Sequence, residues 1–190
     1  ISKALASYFR SLGGEVRTGH RVSNAADLPE ARAYLFDTGP NLLADGFTDV
    51  LPPGYLTRIR KFRYGPGVFK IDYALKRAIP WRDANILKSS TVHIGGTFSE
   101  IAAAEKDVWL GKHPERPFVL LTQQSQFDTS RAPKGRHTLW AYCHVPHGSA
   151  IDMAQAMENQ IERFAPGFRK TILKRTSISP AALEAYNANY

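Results

Sequence analysis

The alternation of apolar and polar residues is clearest between Tyr64 and Lys76, where the turn Gly65-Pro66-Gly67 leads into a strand-like run. Successive side chains of an extended chain point to opposite sides, so this run has an apolar side and a mixed side. The apolar side carries Phe69, Ile71, Tyr73 and Leu75, and the mixed side carries Val68, Lys70, Asp72 and Ala74. We therefore predict a strand that either faces water at a sheet edge or forms the floor of a cavity.

The remaining patterns predict further helices and strands. A helix is expected over Ile1–Leu12, because its apolar residues have helical spacing and Gly13-Gly14 can end it. Two short strands follow, over Glu15–Val22 and Ala31–Phe36. Later strands are predicted over Thr91–Ile94, Phe118–Phe127 and His137–Val145. Later helices are predicted over Tyr55–Phe62, after the caps at Thr97, Ser149–Asp152 and Ser179, and from about Phe168.

This order of elements predicts an α+β fold with a mostly antiparallel sheet and flanking helices, preceded by a helix-strand-strand segment. Two strands joined by a polar turn, over Phe118–Phe127 and His137–Val145, support the antiparallel arrangement. Residues 1–45 do not complete a layer by themselves, and we assign residues 46–190 to a separate domain. The chain begins at Ile1, within a helical pattern, and we expect it to be the central piece of a longer protein.

The amino-acid composition is that of a globular protein and argues against a membrane-spanning one. The 190 residues have the apolar and charged fractions of a globular protein, and no apolar run approaches the length of about 20 residues that spans a bilayer. The single cysteine, Cys143, excludes an internal disulfide and suits a reducing compartment, so we expect a cytoplasmic protein.

Positive charge is concentrated in one part of the chain. The net charge is +8, and residues 55–88 contain nine Lys or Arg against two acids. Such a region favours an anionic partner. We predict association with a membrane surface, through Arg58, Arg60, Lys61 and Arg63. We do not expect nucleic acid, because no recognised nucleic-acid motif accompanies the charge.

Several polar side chains recur with the two-residue spacing of a strand face. These residues are Lys70 and Asp72, Gln123 and Ser125, and Trp140, Tyr142 and His144. If their faces meet on one sheet, they line a mixed aromatic and polar surface that suits a ligand cavity, although a solvent-exposed face fits the pattern equally. His144 and His147 could form a metal pair, but no second ligand cluster lies nearby, so no metal site is predicted.

Three longer stretches resemble a known family. They are YGPGVFKIDYAL with the following Pro80-Trp81, Thr91–Glu105, and His137–Ser149, and QIERFAPGF and AYNANY fit the same order. Together they resemble the central region of phytoene dehydrogenase-like FAD-dependent oxidoreductases, which belong with the carotenoid desaturases and amine oxidases. The resemblance covers essentially the whole chain.

The resemblance implies a function and a set of site residues. It implies an enzyme that transfers hydride between an apolar substrate and FAD, with residues 1–45 in the FAD-binding lobe and residues 46–190 in the substrate-binding domain. The residues expected near the cofactor are Val22, Asp37, Thr38, Gly39 and Pro40. The residues expected near the substrate are Lys70, Asp72, Gln123, Trp140, Tyr142 and His144. No catalytic residue is identified.

The family's pyrophosphate-binding G-x-G-x-x-G segment does not occur in these 190 residues. We therefore expect the chain by itself to be inactive and to retain little FAD. The alternative is a non-catalytic module that binds lipid or a membrane surface through the basic region.

Overall fold

The computed structural model describes residues 1–189 and divides them into two compact units. The first unit is Ile1–Arg63, and the second begins at Tyr64. The boundary drawn from the sequence, between residues 45 and 46, falls at the end of a helix that spans Pro40–Gly46. The functional labels given to the two parts of the chain stay predictions.

The first unit contains short helices and connecting segments. Its α-helices are α1 (Ser2–Ser11), α2 (Pro40–Gly46) and α3 (Pro53–Arg60), and one 3₁₀ turn spans Ala25–Asp27. The helix predicted at the start of the chain is confirmed, and it ends before Gly13, whose φ of 86° suits glycine. Within Ile1–Arg63 only three apolar residues are buried, namely Ala44, Phe47 and Leu56.

The two strands predicted in the first unit are wrong. Residues 15–22 and 31–36 have a sequence pattern that is typical of strands, yet neither segment forms a strand in Ile1–Arg63. A strand is defined by hydrogen bonds to a neighbouring strand, and no such partner is present in this unit. The helix-strand-strand segment expected before the sheet is therefore a helix followed by irregular chain.

The second unit is built on one five-stranded sheet. Its strands are β1 (Gly67–Leu75), β2 (Thr91–Ile94), β3 (Val119–Thr122), β4 (His137–Val145) and β5 (Ile172–Ile178). Its α-helices are α4 (Phe98–Trp109), α5 (Ala154–Phe164) and α6 (Pro180–Tyr186). The strand order is β2-β3-β4-β1-β5, and every neighbouring pair is antiparallel. The predicted fold class, α+β with a mostly antiparallel sheet and flanking helices, is confirmed.

The apolar side of β1 lies in the core of this unit, as its alternation predicts. Phe69, Ile71, Tyr73 and Leu75 are at most 3% exposed. Helix α5 covers this side of the sheet, with Met157 and Ile161 completely buried in the same cluster. Burying a large apolar side chain stabilises a fold by about 1.5–3 kcal/mol, so this layer accounts for the cohesion of the unit.

Two predictions about elements of the second unit, one strand and one helix, need correction. The strand predicted over Phe118–Phe127 ends at Thr122, because the chain turns there into a 3₁₀ segment, Gln124–Gln126. The helix predicted from about Phe168 is a single 3₁₀ turn, Arg169–Thr171, followed by the unpredicted strand β5. β5 lies at the sheet edge and five of its seven residues are exposed, so it lacks the alternation that marks a half-buried strand.

A buried carboxylate connects β5 to α5. Glu158 of α5 is 5% exposed and accepts hydrogen bonds from Arg169, at 3.0 Å, and from Arg175 of β5. Two guanidinium groups thus compensate the cost of burying one carboxylate. The same contact ties the exposed edge strand to the helix layer.

The helix starts predicted at Thr97 and Ser179 are confirmed by their caps, whereas α5 begins at Ala154, after Met153 at its N-cap, without a side-chain cap hydrogen bond. Thr97 Oγ1 accepts from the backbone N–H of Glu100 at 3.2 Å, and Glu100 Oε2 accepts from the N–H of Thr97 at 2.9 Å. Ser179 Oγ accepts from the N–H of Ala182 at the start of α6, with Pro180 as the first helical residue. Across residues 1–189, no helix is both long enough and apolar enough to cross a bilayer.

Candidate functional site

The side of the sheet that faces away from the main core carries a row of aromatic side chains. In β4, residues 139, 141, 143 and 145 are buried, so Trp140, Tyr142 and His144 point to the opposite side. The Trp140 and Tyr142 rings are 6.0 Å apart and nearly parallel, at 12°. The His144 ring lies 5.9 Å from Tyr142 and is tilted by 50°. Each of the three residues is only half-buried, which leaves ring surface open for contact.

Strand β1 adds a charged pair to the same side. The register places Lys70 opposite Tyr142 and Asp72 opposite Trp140. Lys70 Nζ donates to Asp72 Oδ1 at 2.6 Å and lies 5.9 Å from the centre of the Trp140 ring. We call the surface formed by Trp140, Tyr142, His144, Lys70 and Asp72 the aromatic face. Because the two charges neutralise each other, this part of the face has little net charge.

Helix α4 reaches the aromatic face at His144. Glu105 Oε2 lies 2.7 Å from His144 Nδ1, a hydrogen-bond distance. The two side chains are about one third exposed, at 31% for Glu105 and 35% for His144. The carboxylate therefore holds the imidazole in one orientation at the end of the aromatic row.

One residue predicted to be near the substrate is elsewhere. Gln123 is 2% exposed, and its amide is fully engaged in the core: Oε1 accepts from Trp81 Nε1 at 3.1 Å. Its Nε2 donates to the carbonyl oxygens of Ile86 at 2.8 Å and Ser89 at 2.6 Å. Gln123 has the strand parity of the buried residues Val119 and Leu121, so its side chain lies on the core side of the sheet and not on the aromatic face.

Three residues that border the aromatic face were not predicted from the sequence. Leu120 and Thr122 of β3 lie opposite Tyr142 and Trp140, and both are partly exposed. Glu105 was missed because it is 39 residues from His144 in the chain. One feature of the sequence pointed to Glu105. It lies on the helix face of Ile101, Ala104 and Val108, where an apolar residue would be expected instead of a charged one.

The surface beside Asp72 is concave. A shallow recess of about 240 Å³ lies between β1 and β5, lined by Asp72, Tyr73, Ala74, Lys174, Arg175 and Thr176. Ala74 contributes only a methyl group there, next to the Lys70–Asp72 pair. A ligand lying along the aromatic face thus has room beyond the charged pair.

The residues expected near FAD belong to the first unit. Val22 and the stretch Asp37, Thr38, Gly39 and Pro40 lie in irregular chain and at the start of α2. Thr38 Oγ1 is buried without a hydrogen-bond partner among the described residues. A buried hydroxyl of this kind is expected where a ligand or another segment of protein supplies the partner. Contact of these residues with FAD stays a prediction, and a pyrophosphate-binding loop is not among the 190 residues.

The basic region is exposed on α3 and after it. Arg58, Arg60, Lys61 and Arg63 are all exposed, and Arg60 Nη2 donates to the carbonyl oxygen of Ala44 at 3.3 Å. Their accessibility is compatible with an anionic partner, and the predicted association with a membrane surface stays a prediction.

The two histidines considered as a metal pair have different neighbours. His144 contacts Glu105, whereas the His147 ring stacks on Tyr64 at 5.6 Å. Among residues 1–189 there is no cluster of three or more His, Cys, Asp or Glu that could hold a metal ion. The sulfur of Cys143 lies in the core, where burial raises the pKa of its thiol to about 12.

The fold and the face together define a class: an antiparallel sheet covered by a helix on one side, with a half-exposed aromatic and polar surface on the other. No protein-family model matches the chain, and no curated protein is significantly similar to it.

Proposed function

We propose that the chain is the substrate-binding region of an FAD-dependent oxidoreductase of the phytoene dehydrogenase-like kind. The observation that carries the proposal is the aromatic face. Five of the six residues expected near the substrate lie side by side on it, although they come from two strands about 70 residues apart in the chain. Stacked rings flanked by a neutralised charge pair suit a flat, apolar substrate.

The roles of these residues follow from their contacts. Trp140 and Tyr142 offer flat apolar surface against which a conjugated or isoprenoid-like molecule can pack. Lys70 and Asp72 hold each other, and Lys70 keeps the Trp140 ring in place through its cation–π contact. The flavin, when bound, supplies the hydride chemistry, and the buried hydroxyl of Thr38, which has no partner among the described residues, is available to contact the cofactor.

Flavin binding by the complete gene product tests the proposal. The full open reading frame that encodes this chain, expressed and purified, is expected to be yellow and to release FAD on denaturation. The 190-residue chain is the matched control, and we expect it to retain little FAD because it has no pyrophosphate loop. A complete product that stays colourless after incubation with FAD would contradict the proposal.

A membrane-surface module is the second candidate, and the exposed basic region favours it. Arg58, Arg60, Lys61 and Arg63 are accessible, and Phe62 between them is 56% exposed. Each cation near an anionic surface contributes about 1 kcal/mol. This candidate predicts binding to phosphatidylserine vesicles that falls with added salt, and that is lost when Arg58, Arg60 and Lys61 are changed to Glu. Binding unchanged by these substitutions would exclude the basic region as its cause.

A further inference from the structure

The imidazole of His144 presents two nitrogens in different settings. Nδ1 lies 2.7 Å from Glu105 Oε2. A carboxylate oxygen accepts hydrogen bonds, so in the neutral ring Nδ1 carries the hydrogen and Nε2 is left as an acceptor. No described residue donates to Nε2. The structure thus contains an oriented acceptor that no group of residues 1–189 uses.

The position of this acceptor limits what could bind to it. His144 is at one end of a row in which the Tyr142 ring follows at 5.9 Å and the Trp140 ring at a further 6.0 Å. A molecule that extends along this row from Trp140 past Tyr142 would therefore bring one of its ends to the imidazole. A ligand group that donates a hydrogen bond is the group that suits an unprotonated nitrogen there.

The charges around His144 favour a neutral donor. The register places Val68 of β1 opposite His144, and Glu105 is the charged group in contact with it. Lys70 is paired with Asp72, and Lys174 of β5 lies opposite Ala74, six residues or about 20 Å further along β1. A carboxylate or phosphate would meet the negative charge of Glu105 at this end of the face.

We propose that His144 Nε2 is the hydrogen-bond acceptor for a hydroxyl group of the substrate, whose flat apolar part lies on Tyr142 and Trp140. The substrate class is then a flat aromatic or conjugated molecule with a neutral hydroxyl at one end. Glu105 is a positioning residue in this site, since it acts by holding the imidazole. This inference rests on the proposed function, because it takes the aromatic face as the substrate surface.

The test compares two ligands that differ in one hydrogen-bond donor. 2-Naphthol and 2-methoxynaphthalene share a flat ring system, but only the naphthol can donate a hydrogen bond. In chemical-shift titrations of the 190-residue chain at neutral pH, we expect the naphthol to bind about three- to tenfold more tightly, the contribution of one neutral hydrogen bond. We expect Trp140→Ala to weaken the binding of both ligands by similar factors.

The variant His144→Phe keeps a flat ring and removes the acceptor. We expect it to bind the two ligands with equal affinity, whereas Trp109→Phe, at an exposed site at the end of α4, is the control and should keep the preference. Should His144→Phe fail to fold, the ring nitrogens of the unmodified chain can be read by ¹⁵N correlation spectra. Hydrogen on Nδ1 and a naphthol-dependent shift of Nε2 are expected, and hydrogen on Nε2 would overturn the inference.

Each other outcome has a definite meaning. If 2-methoxynaphthalene binds in a way that depends on Trp140 but 2-naphthol binds no more tightly, the proposed hydrogen bond to His144 is contradicted. The proposed substrate face is then still supported. If the naphthol keeps its advantage in His144→Phe, the hydroxyl binds elsewhere and the inference is equally wrong. If neither ligand binds, both the hydroxyl site and the proposed substrate face are contradicted.

Discussion

The two units of the chain use similar sequence patterns with opposite results. Residues 15–22 alternate in polarity much as β1 does, yet they form no strand, whereas β1 has a partner strand along each of its edges. Leu5 of α1 and Leu12, at its C-cap, are more than 60% exposed, while Met157 and Ile161 of α5 are completely buried. The difference shows that a strand pattern forms a strand only where a partner strand bonds to it, whereas the helix α1 forms through its own backbone hydrogen bonds without burying its apolar side.

Hydrogen exchange should show the largest difference between the units. The strands β1 and β4 are bonded on both sides, so we expect their central amides to exchange only through global unfolding, at least about 1,000-fold more slowly than in an unstructured peptide. Amides of residues 15–22 should exchange within about tenfold of that peptide, because no strand bonds to them. Amide exchange rates measured by NMR or mass spectrometry test this difference between the two segments. Strong protection of residues 15–22 would mean that they have a partner in solution.

A matched pair of phenylalanine substitutions should show the next largest effect. Phe168 is completely buried and packs edge-on against Tyr73, with ring centres 5.5 Å apart, whereas Phe9 of α1 is 49% exposed. We expect Phe168→Ala to lower the free energy of unfolding by about 3–5 kcal/mol, and Phe9→Ala to change it by less than about 0.5 kcal/mol. Urea unfolding followed by circular dichroism provides both values. A cost for Phe9→Ala as large as that for Phe168→Ala would show that α1 is packed after all.

Two capping boxes among the described residues allow the finest comparison. Thr97 caps α4 in the second unit, and Asn24 caps the three-residue turn Ala25–Asp27 in the first with the same reciprocal bonds. Thr97→Ala should cost about 1 kcal/mol, because α4 buries Ala104 and Val108 behind its cap. Asn24→Ala should cost no more than a few tenths of a kcal/mol, because the turn buries nothing. Equal shifts of the urea midpoint would contradict this difference.

Lowering the pH should remove the stabilisation that Glu100 gives to the cap of α4. The hydrogen bond from the Thr97 N–H, followed by that from Arg163, lowers the pKa of Glu100 to about 2. A carboxyl whose pKa is lower in the folded state stabilises the fold above its unfolded pKa, near 4.5, and this contribution is lost as the pH falls toward 2. Glu100→Gln should therefore flatten the decline of the urea midpoint between pH 4.5 and 2. An unchanged decline would assign the acid sensitivity to other carboxyl groups.

Much of the second unit could be predicted because its signals are local. The alternation in β1 and β4, and the capping box Thr97–Glu100, each depend on residues within one element. β5 could not be found in this way, since it is an exposed edge strand whose position depends on pairing with β1 and on the contact of Arg175 with Glu158. The end of β3 at Thr122 was equally hidden, because it is set by the turn of the chain into the 3₁₀ segment Gln124–Gln126.

The candidate site was predictable to the extent that it lies on strand faces. Two-residue spacing placed Trp140, Tyr142 and His144 on one side of β4, and Lys70 and Asp72 on one side of β1. The sequence by itself thus determined which side chains point together, because the period of a strand is a property of its backbone. Only the tertiary structure decided that β1 lies beside β4 in the register that joins the two sets, that Gln123 lies in the core, and that Glu105 contacts His144. The physical reason is that register and helix packing are set by the burial of the whole unit, and no single segment of the chain contains that information.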